Sequence, residues 1–475
     1  MPLINFTGLA SGIDAEALIS ATSDAARAQR VTPLEDKISE LEDTNSSLEE
    51  LKTKLTSLKS LLQQFTTVNG GAVAKLGKST DETVVTATAS NAASDGSYSI
   101  TVTQLAKNAT ISFATTATTY TSATDVIDSG INDGAPDADR TIPITIGTGA
   151  KAETVNVVLT STTTLNDFVE AFNNSTTKAT AVVSNVGTSS SPDYRVIITS
   201  NKEGTEEGQL TIGAYGPEIT AFDSNTTDPA TDANFTLSGV SGTITRSTNT
   251  VSDLIPGVTF TLESVGGPTT ITVATDVSAT TSAVQDFIDA YNDIVKYLDE
   301  NNQITRQEDG KNVTNIFGPL ANTRVDDGVL TSLRGDMSGS TYSSGTQIKI
   351  FADLGITTER DGTLKFDTDT FEQALSDEPD SVKNILQNFG DTAAVTNGTI
   401  DQYIRFNGLI EVVTKGNTQR ITDLNKQISE AEKSILRNEE LTRQRFARLE
   451  SLIGQLQSQQ QALTSALAGL GTNIG

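Results

Sequence analysis

The 475-residue chain has no histidine and no cysteine. The missing imidazole removes the commonest general base and neutral metal ligand. The missing thiol removes disulfides, zinc–thiolate sites and the cysteine nucleophile. A Ser-His-Asp or Cys-His arrangement is therefore impossible. Carboxylates remain, 60 of them. Pairs of carboxylates hydrolyse glycosidic bonds, yet no local context here isolates two for that work. Asp133, Asp137 and Asp139 in NDGAPDADR resemble a loose calcium loop. No bidentate Glu follows at EF-hand spacing, so a solvated acidic loop is the better reading. Neither GxxxxGK(S/T) nor GxGxxG occurs, and no phosphate loop is indicated. The expectation is a chain that is not an enzyme, with no catalytic residue, metal or cofactor.

The residues whose spacing does carry information are apolar. Leu34, Leu41, Leu48, Leu55 and Leu62 are seven apart, and Leu51, Leu58 and Phe65 fill the second position of the same frame. Near the other end Ile421, Leu424, Ile428, Ala431 and Ile435 follow a heptad, continued by Leu449, Leu452, Leu456, Leu463, Ala466 and Leu470. A seven-residue apolar repeat makes a seam, and a seam needs a partner helix. The expected chemistry is therefore assembly: two terminal helices, 31–66 and roughly 417–470, that zip against each other or against another protein. At ~1.5 Å per residue the first would reach ~54 Å. Arg437, Arg443, Arg445 and Arg448 interrupt the second seam and are expected to pair with Glu439, Glu440 and Glu450.

Between these ends the period changes to two. Strands are expected at 84–89 and 98–105, joined by a turn at Asp95-Gly96, with loops and a short edge strand over 107–140. A module follows with strands near 142–146 and 155–159, a helix carrying Leu165, Phe168, Val169 and Phe172, and strands near 181–183, 195–198 and 210–212. Residues 216–233 read as a polar linker. Strands near 258–262 and 271–273 should pair with 84–105 across the module. A helix bearing Val284, Phe287, Ile288, Tyr291, Ile294, Val295 and Leu298 comes next. After it are a helical region over 319–334, a hairpin around Asp361-Gly362, and two short helices near 371–375 and 382–389.

The fold class is thus multidomain α+β, with terminal coiled-coil helices carrying nested β-rich domains and short helices. The expected division is a flexible N-terminal leg over 1–30, frayed or ordered only in an assembly, in which Asp14 caps a short helix from Ala15 with Leu18 and Ile19 on one face, and a coiled-coil helix over 31–70. A middle α+β domain takes 71–106 and 235–415, and outer β-rich insertions take 107–234. The C-terminal coiled-coil helix and tail take 416–475. Such nesting brings both termini to one end of a rod. The formal charge of -27 argues against nucleic acid and for a self-repelling surface. No apolar run is long enough to span a membrane, and the first 30 residues lack the pattern of a cleaved leader.

Gly8-Leu9-Ala10-Ser11-Gly12-Ile13-Asp14 looks like the N-terminal GLxSGxD signature of the flagellar cap family, also called the hook-associated protein 2 family. Ile255-Pro256-Gly257-Val258-Thr259-Phe260-Thr261-Leu262 resembles its PGVTxTL segment. Phe287-Ile288-Asp289-Ala290-Tyr291-Asn292 resembles its FxxxYN helix. Phe446-Ala447-Arg448-Leu449-Glu450 with Leu463-Thr464 resembles its terminal RF-x-x-L pattern. The 155–212 module is similar to inserts of hook- and flagellin-associated proteins. The resemblance spans almost the whole chain through the order of its motifs. It implies a ring of identical copies at the distal end of the bacterial flagellum, where exported flagellin folds beneath a plate and helical legs reach between flagellin subunits. It implies Gly8, Leu9, Ser11, Gly12, Ile13 and Asp14 as a leg motif. Implied partners are other copies, flagellin, hook-associated junction proteins and an export chaperone at the C-terminal region, with export through the flagellar type III pathway. Two other readings are a surface adhesin with β modules on a stalk, and a flagellin or hook–filament junction protein.

Overall fold

The computed structural model describes residues 14–115, 119–309, 312–321, 323, 325–345 and 347–471. They form two units. One takes both ends of the chain, up to Val68 and from Thr281 onward; the other is Asn69–Thr280.

The first unit opens with α1 (Ala15–Arg30) and α2 (Thr32–Gln63). Within the stretch expected as a flexible leg, the short helix expected from Ala15 runs on to Arg30. Asp14 caps it by accepting from the Ala17 N–H at 3.0 Å. Arg27 and Arg30 sit in its last turn, where cations suit the helix dipole. Ala15 and Ile19 are buried, so the helix is also held by packing. Pro33 lies in the first turn of α2, where its missing N–H leaves nothing unpaired, and the chain breaks at Val31 just before it.

The second unit follows with β1 (Lys75–Ser79), β2 (Val85–Ala89), β3 (Gly96–Gln104), β4 (Thr110–Thr115), β5 (Thr141–Ile146), β6 (Glu153–Val158) and α3 (Leu165–Ser175). Then come β7 (Ala179–Asn185), β8 (Tyr194–Ser200), α4 (Thr205–Gly208), β9 (Leu210–Ile212), β10 (Phe222–Asp228) and β11 (Ala233–Leu237). Last are β12 (Ile244–Arg246), β13 (Thr250–Ile255), β14 (Val258–Leu262) and β15 (Gly266–Thr275). They enclose two cores. One is drawn from 84–106 and 233–273, between the sheets β1-β15-β3-β11-β12 and β13-β14-β2. The other is drawn from 109–230, where α3 joins the sheets β10-β4-β8-β7 and β6-β5-β9. A capping box at Thr164 and Asp167 starts α3, and Phe168 and Phe172 point into this core.

Three local expectations fail here for one reason, that pairing is non-local. Asp95-Gly96 does not turn a hairpin: β2 pairs with β14, while β3 pairs with β15 and β11. The strand at 110–115 is not an edge, since β4 lies between β10 and β8. The stretch read as a polar linker contains β10, whose Phe222 stacks on Phe113 with centroids 5.2 Å apart. The acidic loop before β5 is tied down by Asp128, which accepts from the backbone N–H groups of Gly130, Thr220 and Ala221 at 2.9–3.0 Å. Burial pushes its carboxyl up, but those backbone donors outweigh it and hold it below the usual range.

The chain returns to the first unit along α5 (Val277–Asn302). It continues with β16 (Ile304–Asp309), β17 (Asn312–Phe317), α6 (Val325–Gly339), β18 (Ile356–Thr358), β19 (Leu364–Phe366) and α7 (Thr368–Asp377). It closes with α8 (Pro379–Ala393), α9 (Thr399–Ile404) and α10 (Leu409–Gly471). The helical region expected at 319–334 lies at 325–339, and the hairpin expected around Asp361-Gly362 is β18 with β19, preceded by a 3₁₀ turn at Phe351–Leu354. Residues 281–415, grouped by sequence with the middle α+β domain, cluster with the helices of the first unit. Their aromatic side chains explain this: Phe287 of α5 meets Phe65 edge-on at 6.3 Å and Phe389 of α8 at 5.4 Å.

Candidate assembly surface

The apolar repeat of α2 divides at residue 48. Leu48, Leu51, Leu55, Leu58 and Leu62 are fully buried, packed among α8, α9 and α10. Leu34 and Leu41 are only half-buried. A belt of polar contacts marks the division. Asn417 of α10 donates to Asn45 Oδ1 at 2.9 Å, and Asn417 is itself buried. Thr44 Oγ1 donates to the Pro319 carbonyl at 3.0 Å. The Tyr297 hydroxyl donates to the Ser47 carbonyl at 2.9 Å. A buried polar pair costs desolvation unless matched, and once matched it resists a slip of register.

Beyond this belt α10 runs antiparallel to α1 and the start of α2. Asn417 meets Asn45, Ser434 meets Arg30 (3.4 Å), Glu432 meets Arg27 (2.6 Å) and Arg443 meets Glu16 (2.6 Å). Ile421, Leu424, Ile428 and Ile435 are half-buried along this stretch, and Ala431 is buried. The charged contacts are solvent-exposed, so they orient the helices more than they stabilise them. Arg443 also reaches Glu439 and Glu440, and Arg437 Nε donates to the Lys433 carbonyl. Further along, Leu449, Leu452, Leu456 and Leu463 are 51–64% exposed, although they continue the same frame. The seam residues therefore lie in three environments on one pair of helical arms: closed, half-closed and open.

Asp14 of the N-terminal signature is the cap of α1. Gly8, Leu9, Ser11, Gly12 and Ile13 lie outside the described residues. Asn45, Thr44 and Asn417 escaped the sequence reading. A signal existed for Asn417, a polar residue on the frame of Leu424 and Ala431. Asn292 of the FxxxYN stretch has a plain structural duty: its amide donates to the Leu364 carbonyl at 2.8 Å and accepts from the Leu364 N–H at 2.6 Å. It thereby mimics a strand for β19. Tyr291 beside it is buried, its hydroxyl accepting from Arg334 Nε at 3.2 Å.

The candidate calcium loop does not converge. Asp133 accepts from Ser161 N–H and Oγ at 2.8 and 2.7 Å, bonds that hold its carboxyl below the usual range. Asp137 pairs with Arg140 at 2.5 Å. Among the described residues no cluster of His, Cys, Asp or Glu could hold a metal ion, and no helix is long and apolar enough to cross a membrane.

Residues 11–109 match the family model for the flagellar hook-associated protein 2 N-terminus, and 230–458 match that for its C-terminus. The unmatched interval between them corresponds to the second core. Flagellar hook-associated protein 2 of Escherichia coli O157:H7 is 25% identical over 98% of each chain. The A-type flagellar hook-associated protein 2 of Pseudomonas aeruginosa is 27% identical over 82% of each. The solved D1-D2-D3 domains of the flagellar cap protein FliD from Escherichia coli share the fold, with a TM-score of 0.58 at 23% identity over 78% of this chain and 99% of that one. With both ends matched in order and the architecture shared, the chain belongs to the flagellar hook-associated protein 2 family, the flagellar cap proteins.

Proposed function

We propose that this chain is a structural cap at the distal tip of a bacterial flagellar filament, where it promotes folding and insertion of exported flagellin. The observation that carries this reading is the graded seam: on one pair of helical arms the seam residues pass from closed in α2, Leu48 to Leu62, through half-closed in α10, Ile421 to Ile435, to open, Leu449 to Leu463. Open apolar positions on a helix are cover for another helix, and a half-closed seam opens at low cost. A cap that advances with every added subunit needs such contacts, firm enough to seat and weak enough to release. The arms are the legs, from the signature residues Gly8, Leu9, Ser11, Gly12, Ile13 and Asp14 through α1, and along α10 past Leu449. Flagellin and other copies of the chain are the partners in place. Hook-associated junction proteins and an export chaperone at the C-terminal region are partners on the way, through the flagellar type III pathway. The role involves no covalent chemistry.

The family match favours capping over the adhesin and junction-protein readings. In a flagellated strain whose own cap gene is deleted, expression of this chain should restore filaments, with immunogold label confined to their tips. Label at the hook–filament boundary, or along the filament, would overturn the reading.

A further inference from the structure

We propose that α1 is a releasable strap on α10, with Arg27 as its clasp, and that it swings away about Val31 while the rest of the unit stays folded. Over its 16 residues α1 buries only Ala15 and Ile19, and its one other large apolar side chain, Leu18, is exposed. A cleft of about 270 Å³ separates Ser23, Asp24 and Arg27 of α1 from Glu432, Ile435 and Leu436 of α10. Close packing is what makes a helix contact costly to part, and this contact is underfilled. The clasp is a single cation among carboxylates. Arg27 bridges Glu35 of α2 at 2.8 Å and Glu432 of α10 at 2.6 Å, and Asp24 lines the same cleft. Without the guanidinium, three carboxylates face one another, so one charge decides whether this end attracts or repels. Both pairs are solvent-exposed, individually weak and open to screening by salt. At the other end Arg443 donates to Glu16 Oε1 at 2.6 Å, but Glu16 Oε2 is shut from water with no hydrogen-bond partner among the described residues. Release regains the desolvation cost of that oxygen.

The pivot is built differently from the strap. Val31 is wholly buried, and Pro33 has no N–H to bond back to Gln29. The joint is thus pinned by its side chain and interrupted in its backbone. A 16-residue helix with no packed face is marginal in water, so α1 loosens as one piece and frays once free. It uncovers the stretch of α10 around Ala431 and Ile435 and leaves the sealed leucines of α2 in place. The motion deepens the capping reading and rests on it only for its use: arms that must seat and release can part here without unfolding the unit.

Hydrogen exchange of the full chain, followed by mass spectrometry, tests the strap. From ~0.1 M to ~1 M sodium chloride, exchange over Ala15–Arg30 should quicken roughly fivefold as the surface pairs are screened. Exchange over residues 48–62 should hold. Arg27→Gln should bring the same quickening at low salt, and added salt should then quicken it no further, because what is left to screen at this end is repulsion. Glu432→Gln, which keeps the pair with Glu35, should fall between the parent and Arg27→Gln. Melting temperatures of both variants should match the parent. Exchange over Ala15–Arg30 that ignores salt, or that keeps pace with residues 48–62 in every condition, would overturn the proposal. Complementation of cap-deleted cells is a separate readout. Tip-labelled filaments from a chain whose α1 opens only with the core would refute the strap and leave capping standing; a salt-released α1 on a chain that caps nothing would do the reverse.

Discussion

Two stretches of the helical arms carry the same repeat and meet opposite environments. In α2, Leu48 to Leu62 are sealed by α8, α9 and α10; in α10, Leu449 to Leu463 stand open. Both stretches keep the seven-residue apolar frame, so hydrophobicity alone does not separate core from contact surface. What separates them is the number of elements on hand to cover each stretch. Among the described residues of the unit, several helices surround the first, while the second extends past the start of α1 at Ala15.

The largest effect that would break or sharpen this contrast is in the sealed stretch. Leu55→Ala should lower unfolding free energy by about 3 kcal/mol, through lost transfer energy and a residual cavity, as read by urea melts. Next is the ion pair that ties α2 to α9. Lys59 Nζ lies 2.7 Å from Asp401 with both side chains mostly buried, and the Asn397 N–H adds a second bond to the carboxylate. Asp401→Asn should cost about 2 kcal/mol at pH 7. Lys59 first, and the Asn397 N–H second, hold this carboxyl below its usual range. Its contribution is therefore fully present above an unfolded value of about 4 and is lost as pH falls through the lower folded value. The gap between parent and Asp401→Asn should accordingly close as melts move from pH 7 toward acid.

A smaller loss, about 1 kcal/mol, is expected for Asn417→Leu, which leaves Asn45 without its partner. Adding Asn45→Leu should recover most of it, yet amide exchange along α10 beyond 417 should quicken as the register loosens. The smallest effect is in the open stretch. Leu452→Ala should change stability by less than about 0.5 kcal/mol. A loss near that of Leu55→Ala would mean the arm is sealed in the free chain.

The repeats behind this contrast were legible beforehand. Both heptads stood out because a period of seven survives whatever covers it, and the helices around Phe168 and Phe287 were marked by one-face spacing. The environments were not legible, because burial depends on non-local neighbours. Leu55 and Leu452 look alike in sequence. The same limit explains β4 and β10: their pairing joins residues more than 100 apart, and thread-like polar composition masked Phe222 as a core residue. The leg at 15–30 was underrated because the helix it packs against, α10, lies some 400 residues on, where Glu432 and Arg443 meet Arg27 and Glu16.

The most direct measurement is on a chain carrying Leu449→Ser, Leu452→Ser and Leu456→Ser together. If the open leucines serve assembly, the purified variant should melt with the parent while cap-deficient cells expressing it grow no filaments. Filaments of parental length from those cells would contradict it.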